Sequence, residues 1–410
     1  MNSTAFPHFV CAAISSAFLF SFSISVRADA LDNWTTNQVS TNGFRLNCVI
    51  YGNGRYVVAG GWADGGFIMS SEDGLNWTTR ADGGFGGPPS LVWALAYGGG
   101  RFVTVGHFGG TASSTNGIDW EYGHANSIGL YGVAFGAGRF VAVGDGILQN
   151  TVNSIFTSTN GITWTVGTKA PSEVRDVWDV AYGAGKFVAV ANGGYSYIST
   201  NGTSWVRSNI PPGGIRISYC NGRFIIPFVS VGTNLISLDG VSWIQTSTGL
   251  SSGLGKVIYA NGVYVASVSY HAGTAGVHTN LATSVDGTNW IQRSFPSPSL
   301  SPYPANIASD GIRFFAVGHN GGTPFGYYNA KVFRSEPVMG IGITSPPLQI
   351  ILSGVVGRPY RVEYLPSLPA SATNTWQTLT NLILPSSPYF VTDPVAPNSI
   401  QRYYRAVLLP

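Results

Sequence analysis

One stretch confines this chain to a single architecture: YGNGRYVVAGGWADGGFIMSSEDGLNW, from Tyr51 to Trp77, recurs in degraded copies almost to residue 335. Each copy keeps two pieces in a fixed order. The first is a Gly-Arg turn feeding an apolar strand: YGNGRYVVAG from Tyr51, YGGGRFVTVG from Tyr97, FGAGRFVAVG from Phe135, YGAGKFVAV from Tyr182, YCNGRFIIPF from Tyr219, YANGVYVASV from Tyr259 and SDGIRFFAVG from Ser309. The second is Ser-x-Asp/Asn-Gly-x-x-Trp, found at 71–77, 114–120, 158–164, 199–205, 237–243 and 284–290. Asp-Gly or Asn-Gly between apolar runs predicts a hairpin with a type I′ turn, which needs positive φ at both central positions. A period of about forty residues with room for four short strands predicts a propeller, whose blades bury their faces by stacking on neighbours around a ring. The fold class expected is all-β: a seven-bladed β-propeller over residues 31–337.

The Gly-Arg piece occurs seven times and the Trp box six times. The missing box has a counterpart near the start, where Asn33-Trp34-Thr35-Thr36 matches Asn76-Trp77-Thr78-Thr79 residue for residue. The amino-terminal strand is therefore expected to supply the outer strand of blade seven, closing the ring and removing an open sheet edge. WD40 blades share the period, but the only Trp-Asp pair, Trp178-Asp179, falls on an opening strand instead. With these boxes the chain resembles the bacterial propellers with Asp-box (BNR-type) repeats, a group that includes sialidases, xyloglucan-cleaving enzymes and a photosystem II assembly factor. The resemblance covers about three quarters of the chain, and it implies fold rather than activity. Asp73-Gly74, Asp239-Gly240 and Asp286-Gly287 lack the residue that usually separates Asp from Gly, and three copies carry Asn.

Outside the repeats, residues 1–30 read as a targeting segment, apolar from Phe9 to Val26 with a small-residue exit at Ala28-Asp29-Ala30. Cleavage before Leu31 is expected, with the mature chain secreted, periplasmic or at the cell surface and without a membrane span. After Pro337 the repeat stops. Residues 338–410 offer strands at LQIILSG, RPYRVEYL, TWQTLTNL, YFVTD and QRYYRAVLL between Pro-rich turns, which predicts a small carboxy-terminal β-sandwich. The spacing of Tyr360, Val362, Glu363, Trp376, Asp393 and Arg402-Tyr403-Tyr404-Arg405 resembles a carboxy-terminal module of large exported bacterial proteins.

Composition narrows the partners. Only 10% of residues are charged, the formal charge is +3 and no Lys/Arg cluster occurs, which argues against nucleic acid or an anionic membrane as partner. Cys48 and Cys220 fall in blades one and five, too far apart in a seven-membered ring for a disulfide, and they read as buried apolar residues. No metal or cofactor pattern is present, and a monomer is expected.

Strands that alternate in direction put the Gly-Arg and box turns on one face, called lower here; these repeated turns are scaffold. The upper face is where copies differ. There fall Trp62, Asp64, His107, Phe108, Asp145, Tyr195, Tyr270, His271, His278, His319, Tyr327 and Tyr328, with His124 between blades. On the inner strands, the position three before the opening aromatic reads Cys48, Ala94, Gly132, Asp179, Arg216, Lys256 and Asn306; one residue earlier come Trp93, Tyr131 and Trp178. Two readings follow. Asp179 could simply neutralise Arg216 while the aromatics fill the interblade core. Alternatively Asp179, Arg216 and Lys256 meet at a concave mouth with aromatic walls, the form of a ligand site suited to the apolar faces of sugars. The ligand-binding set is therefore Trp93, Tyr131, Trp178, Asp179, Arg216, Lys256, His107, His271 and His319, for a glycan or an envelope protein.

Catalysis is less well supported by the sequence. A glycoside hydrolase needs two carboxyl groups flanking the bond; Asp64, Glu121, Asp145, Glu173, Asp176 and Asp179 are upper-face candidates, and no spacing singles out a pair. The Arg-Ile-Pro motif and arginine triad of sialidases are missing. No phosphate loop, His-Glu-x-x-His or serine elbow occurs. The reading is a non-catalytic ligand-binding module, with glycoside hydrolase or lyase as the alternative.

Overall fold

The computed structural model describes residues 12–15, 31, 34–39, 45–62, 65–83, 91–125, 127, 129–145, 155–167, 176–228, 232–269, 281–293, 306–320, 329–335, 340–343, 349–353, 359–365, 377–385, 389–393 and 401–408. Seven four-stranded antiparallel sheets follow one another as the blades of a propeller. Blade one is Arg45–Gly52, Arg55–Trp62, Gly65–Ser71 and Thr78–Asp82, from inside to outside. The inner strands of the next five are Val92–Gly98, Leu130–Gly136, Val177–Gly183, Ser218–Cys220 and Gly253–Ala260. Blade seven takes Asn306–Ser309, Phe314–Asn320 and Asn329–Ser335 from the end of the repeat and Trp34–Gln38 from its beginning. Trp34 pairs with Ser335 and Gln38 with Lys331, so the ring is closed by the amino-terminal strand as expected.

The two repeated turns are built differently. Asn53-Gly54 joins the first hairpin with φ of 47° and 71°, and the pairs Gly99-Gly100, Ala137-Gly138, Ala184-Gly185, Asn221-Gly222 and Asn261-Gly262 are also positive at both positions. The type I′ turn is thus the Gly-Arg turn. In the box, Gly74 has φ of 72° while Asp73 is not positive, contrary to the sequence expectation. Its side chain explains the difference: Asp73 Oδ1 accepts from the N–H of Leu75 and of Asn76 at 2.8 Å and from Ser71 Oγ at 2.9 Å, holding an Asx-type loop. Gly74 N donates to Ser71 Oγ and the Trp77 indole N–H donates to Gly74 O. Asn116, Asn160 and Asn201 accept the same bonds through Oδ1.

Blades cohere through seven hydrophobic clusters, each drawn from two neighbours. The box Trp belongs to the interface with the preceding blade; Trp164, for instance, packs on the blade two/three cluster and donates to Thr111 Oγ1 across it. Trp34 takes the equivalent place between blades six and seven, where Leu31 is also buried. Near the channel, the aromatic near the end of the inner strand in blades two to five presses on the glycine of the blade before: a Cβ on Gly52 would lie 2.4 Å from Tyr97 Cγ, and one on Gly136 would lie 2.0 Å from Tyr182 Cγ. Asp310 stands at the equivalent glycine position in blade seven, and the Tyr56 hydroxyl donates to its Oδ2 across the closing interface. The Tyr56 phenol is pushed up by burial and by Asp310.

Among the described residues Cys48 and Cys220 are both free, and burial pushes each thiol up to about 12. Cys48 is fully buried, whereas Cys220 is half-buried on the channel wall. Beyond the propeller, Gly340–Ile343, Gln349–Ser353 and Tyr389–Thr392 form one small sheet; Pro359–Leu365, Gln377–Ile383 and Gln401–Leu408 belong to another. Ile350, Leu352, Tyr360, Val362, Val391 and Tyr404 make their common core, and Tyr404 donates to buried Asp393 at 2.7 Å. Ala12–Ser15, inside the expected targeting segment, pairs antiparallel with Gln401–Tyr404. Among the described residues no helix is long and apolar enough to cross a membrane.

Candidate functional site

The upper mouth is shaped by a recurrent irregularity of the inner strands. In blades one to four the register slips by one residue at the same place, leaving Asn47, Trp93, Tyr131 and Trp178 as the extra residue against the second strand. A bulge re-aims the side chain it carries. Three successive bulges carry aromatics, and these meet: Trp93 and Tyr131 lie edge to face with centroids 6.4 Å apart, and Tyr131 stacks on Trp178 at 5.1 Å and 22°. Arg45 extends the row into blade one, its guanidinium 4.9 Å from the centroid of Trp93 and 5.6 Å from that of Trp62. All five side chains are half-buried.

Polar groups run beside the row. The Tyr131 hydroxyl donates to Asp145 Oδ2 at 2.6 Å, and the Trp178 indole donates to Asn192 Oδ1 at 2.8 Å. Asn192 Nδ2 in turn donates to Asp176 Oδ2 at 2.9 Å. Asp145 and Asp176 oppose each other in an antiparallel bridge between blades three and four. Burial, the bond to Asp145 and the charges of Asp145 and Asp176 all push the Tyr131 phenol up, which keeps its proton on the bond to Asp145.

Asp179 lies deeper, 1% exposed, one residue past the Trp178 bulge. Its carboxylate accepts from Val180 N at 3.0 Å and from Ile217 N at 3.2 Å, and Lys256 Nζ stands 3.4 Å from Oδ2. The group thereby ties blades four, five and six. Gly132 makes room for it: a Cβ there would sit 2.9 Å from Asp179 Oδ1. The expected neutralisation of Arg216 is not realised, since the backbone N–H of the next residue and Lys256 take the carboxylate. Arg216 is half-buried and makes no ion pair among the described residues.

Other sequence expectations scatter. His107 follows the second strand of blade two, bridges to Gly129 and stacks on Phe108 at 4.1 Å. His319 is not in a loop but inside the second strand of blade seven, paired with Ala330. His124 ends an outer strand and is exposed. His271, Asp64 and Glu173 lie outside the described residues. Glu121 begins an outer strand directly after a box Trp, which places it at the lower end and removes it from the upper carboxylates. Among the described residues no group of three His, Cys, Asp or Glu is arranged to hold a metal. Arg45, Asn192 and the bulges were missed from sequence; the run of Trp93, Tyr131 and Trp178 at one register position was the available signal.

This geometry defines a class, a seven-bladed β-propeller whose ring is closed by its first strand and whose upper mouth carries an aromatic row. No protein-family model and no curated protein matches the chain. Solved structures do. A structure described as YCF48 bound to D1 peptide is 15% identical, with 74% of this chain and 95% of that one covered and a TM-score of 0.54. YCF48 from Cyanidioschyzon merolae is 13% identical, covering 74% and 98%, with a TM-score of 0.51. Virginiamycin B lyase from Staphylococcus aureus is 9% identical, covering 74% and 99%, with a TM-score of 0.58. At these identities the likeness is one of fold.

Proposed function

We propose that the chain is an exported, non-catalytic interaction module that holds a carbohydrate, or a glycan-bearing envelope partner, along the row Trp93, Tyr131 and Trp178. The observation that carries this reading is the row itself: bulges in three successive blades present aromatic rings in contact, flanked by Asp145, Asp176 and Asn192. Aromatic faces pack on the C–H faces of sugar rings, and carboxylates and amides accept and donate to their hydroxyls. An enclosed catalytic pocket is not required for such a role. The apolar segment before Leu31 supports export, and the second, smaller unit after the propeller fits a β-sandwich used for attachment or spacing.

A glycan array probed with the full chain and with Trp178→Ala tests the reading. Binding that weakens about tenfold or more in the variant, the loss expected of a central aromatic contact, supports it. Absence of glycan binding by the folded protein removes the carbohydrate reading. Because one similar propeller is described with a bound peptide, a peptide library is the second arm, and hits there alone move the assignment to a protein partner. The opposition of Asp145 and Asp176 favours one further reading, glycoside hydrolysis by that carboxylate pair. Turnover of a bound glycan, abolished separately by Asp145→Asn and Asp176→Asn without loss of fold, would establish it in place of simple binding.

A further inference from the structure

The central channel holds a second candidate site, separate from the surface row. A cavity of about 430 Å³ runs along the inner strands of blades one to six, within the roughly 300–1,000 Å³ usual for small-molecule sites. Five half-buried rings, Tyr97, Phe135, Tyr182, Tyr219 and Tyr259, form a collar along its wall. Lys256 also lines it, with 31% of its side chain exposed.

The polar groups on that wall have hydrogens to place. Asp179 is the resident partner of Lys256, but the contacts are 3.4 and 3.5 Å, longer than the about 2.7–2.9 Å of a close charge-assisted bond. The carboxylate already accepts two backbone N–H groups. An ammonium has several donors, and no other acceptor reaches this one among the described residues. Ser218 lies on the neighbouring inner strand, where its Oγ accepts from the N–H of Val257, the residue after Lys256, at 3.3 Å. The Ser218 hydroxyl hydrogen has no acceptor among the described residues, and Ser218 lines the same cavity. An ammonium and a hydroxyl donor thus line one cavity, whose other walls are mainly aromatic and aliphatic side chains with Cys220 and Asn221 among them.

We infer that the channel binds a small carboxylic acid with an aromatic or apolar body, its carboxylate accepting from Lys256 and Ser218 and its body lying against the tyrosine collar. The negative group completes the donors that Asp179 leaves partly used, and the rings cover the body.

Thermal denaturation of the full chain with phenylacetate, benzoate and indoleacetate tests this, with phenylacetamide and acetate as controls. A ligand that binds the folded state raises Tm with concentration. The expected result is a dose-dependent rise with at least one aromatic acid, smaller or absent with the neutral amide and with acetate, and lost in Lys256→Met and in Ala134→Phe. Ala134 lines the cavity from blade three, so that variant takes up space without removing either member of the Lys256–Asp179 pair and serves alone if Lys256→Met fails to fold. No rise with any acid, an equal rise with phenylacetamide, or a rise unchanged in Ala134→Phe overturns the inference. The glycan experiment above is unaffected by either result.

Discussion

Gly136 and Gly138 stand two residues apart and are required for opposite reasons. A Cβ on Gly136 would fall 2.0 Å from Tyr182 Cγ, whereas one on Gly138 meets nothing within 4 Å but would be carried at φ of 74°. Gly136→Ala is therefore an overpacking change between blades three and four, expected to cost about 1–3 kcal/mol in urea denaturation. Gly138→Ala pays only the left-handed backbone, about 1–2 kcal/mol. Asp239 offers a residue-scale test in pH. Hydrogen bonds from the backbone of Ser242 and Val241 and from Ser237 lower its carboxyl from 3.8 to about 2. A depressed folded value means that this stabilisation is present above the unfolded value and is lost as pH falls from 3.8 through about 2. Asp239→Asn keeps an Oδ1 acceptor like the other Asn boxes, so stability curves of variant and parent should converge across that window, with the parent the more stable at neutral pH.

Among elements, the box shows how local chemistry is shared between positions. Where the third residue is Asp, the sixth is Asn in two boxes: Asn76 Nδ2 donates to Asp73 Oδ2 and Asn289 Nδ2 to Asp286 Oδ2. Where it is Asn116, the sixth is Asp119 and the donation reverses, at 2.9 Å. Asp73→Asn would set two amide donors against each other, and Asn76→Asp would set two carboxylates together. Each single change is expected to destabilise, and the double change to recover about 1 kcal/mol of coupling in a double-mutant cycle. The places of such turns were legible in the sequence because the box repeats within seven residues, and so were the blade count and the seventh-blade closure. What stayed hidden depends on register between strands. Nothing near Trp93, Tyr131 or Trp178 announces a bulge, which exists only against Gly106, Gly144 and Ala191 of the second strands. The same holds for Arg45 over Trp93, for Asp310 at a position that is glycine in four other blades, and for Asp179 bonding to Ile217 and not to Arg216. The box type I′ turn was misread because the Asp side chain supplies the acceptor that a second positive φ would otherwise arrange.

For the whole molecule, the ring depends on Trp34–Gln38. This strand completes blade seven, reaches blade one through Asn37 Nδ2 to Leu75 O at 2.9 Å, and packs Trp34 on the cluster between blades six and seven. Deleting residues 1–39 should leave Asn329–Ser335 as a bare sheet edge. The expected outcome is a lower Tm with dimers or larger species in light scattering, while an unchanged monomer of equal Tm would mean that closure contributes little. The same strand sets a clock. Thr35 and Arg334, which touch through a side-chain hydrogen bond, are 299 residues apart in the chain. A ribosome adding about 5–20 residues each second releases the first member of that pair at least roughly a quarter of a minute before the second. Six blades can condense on local hairpins during that interval. Trp34–Gln38 cannot take its native place until residue 335 has arrived, so a pairing-competent strand led by a tryptophan waits unpaired while seven blades are made, and whatever escorts the nascent chain must hold its beginning until the last blade exists.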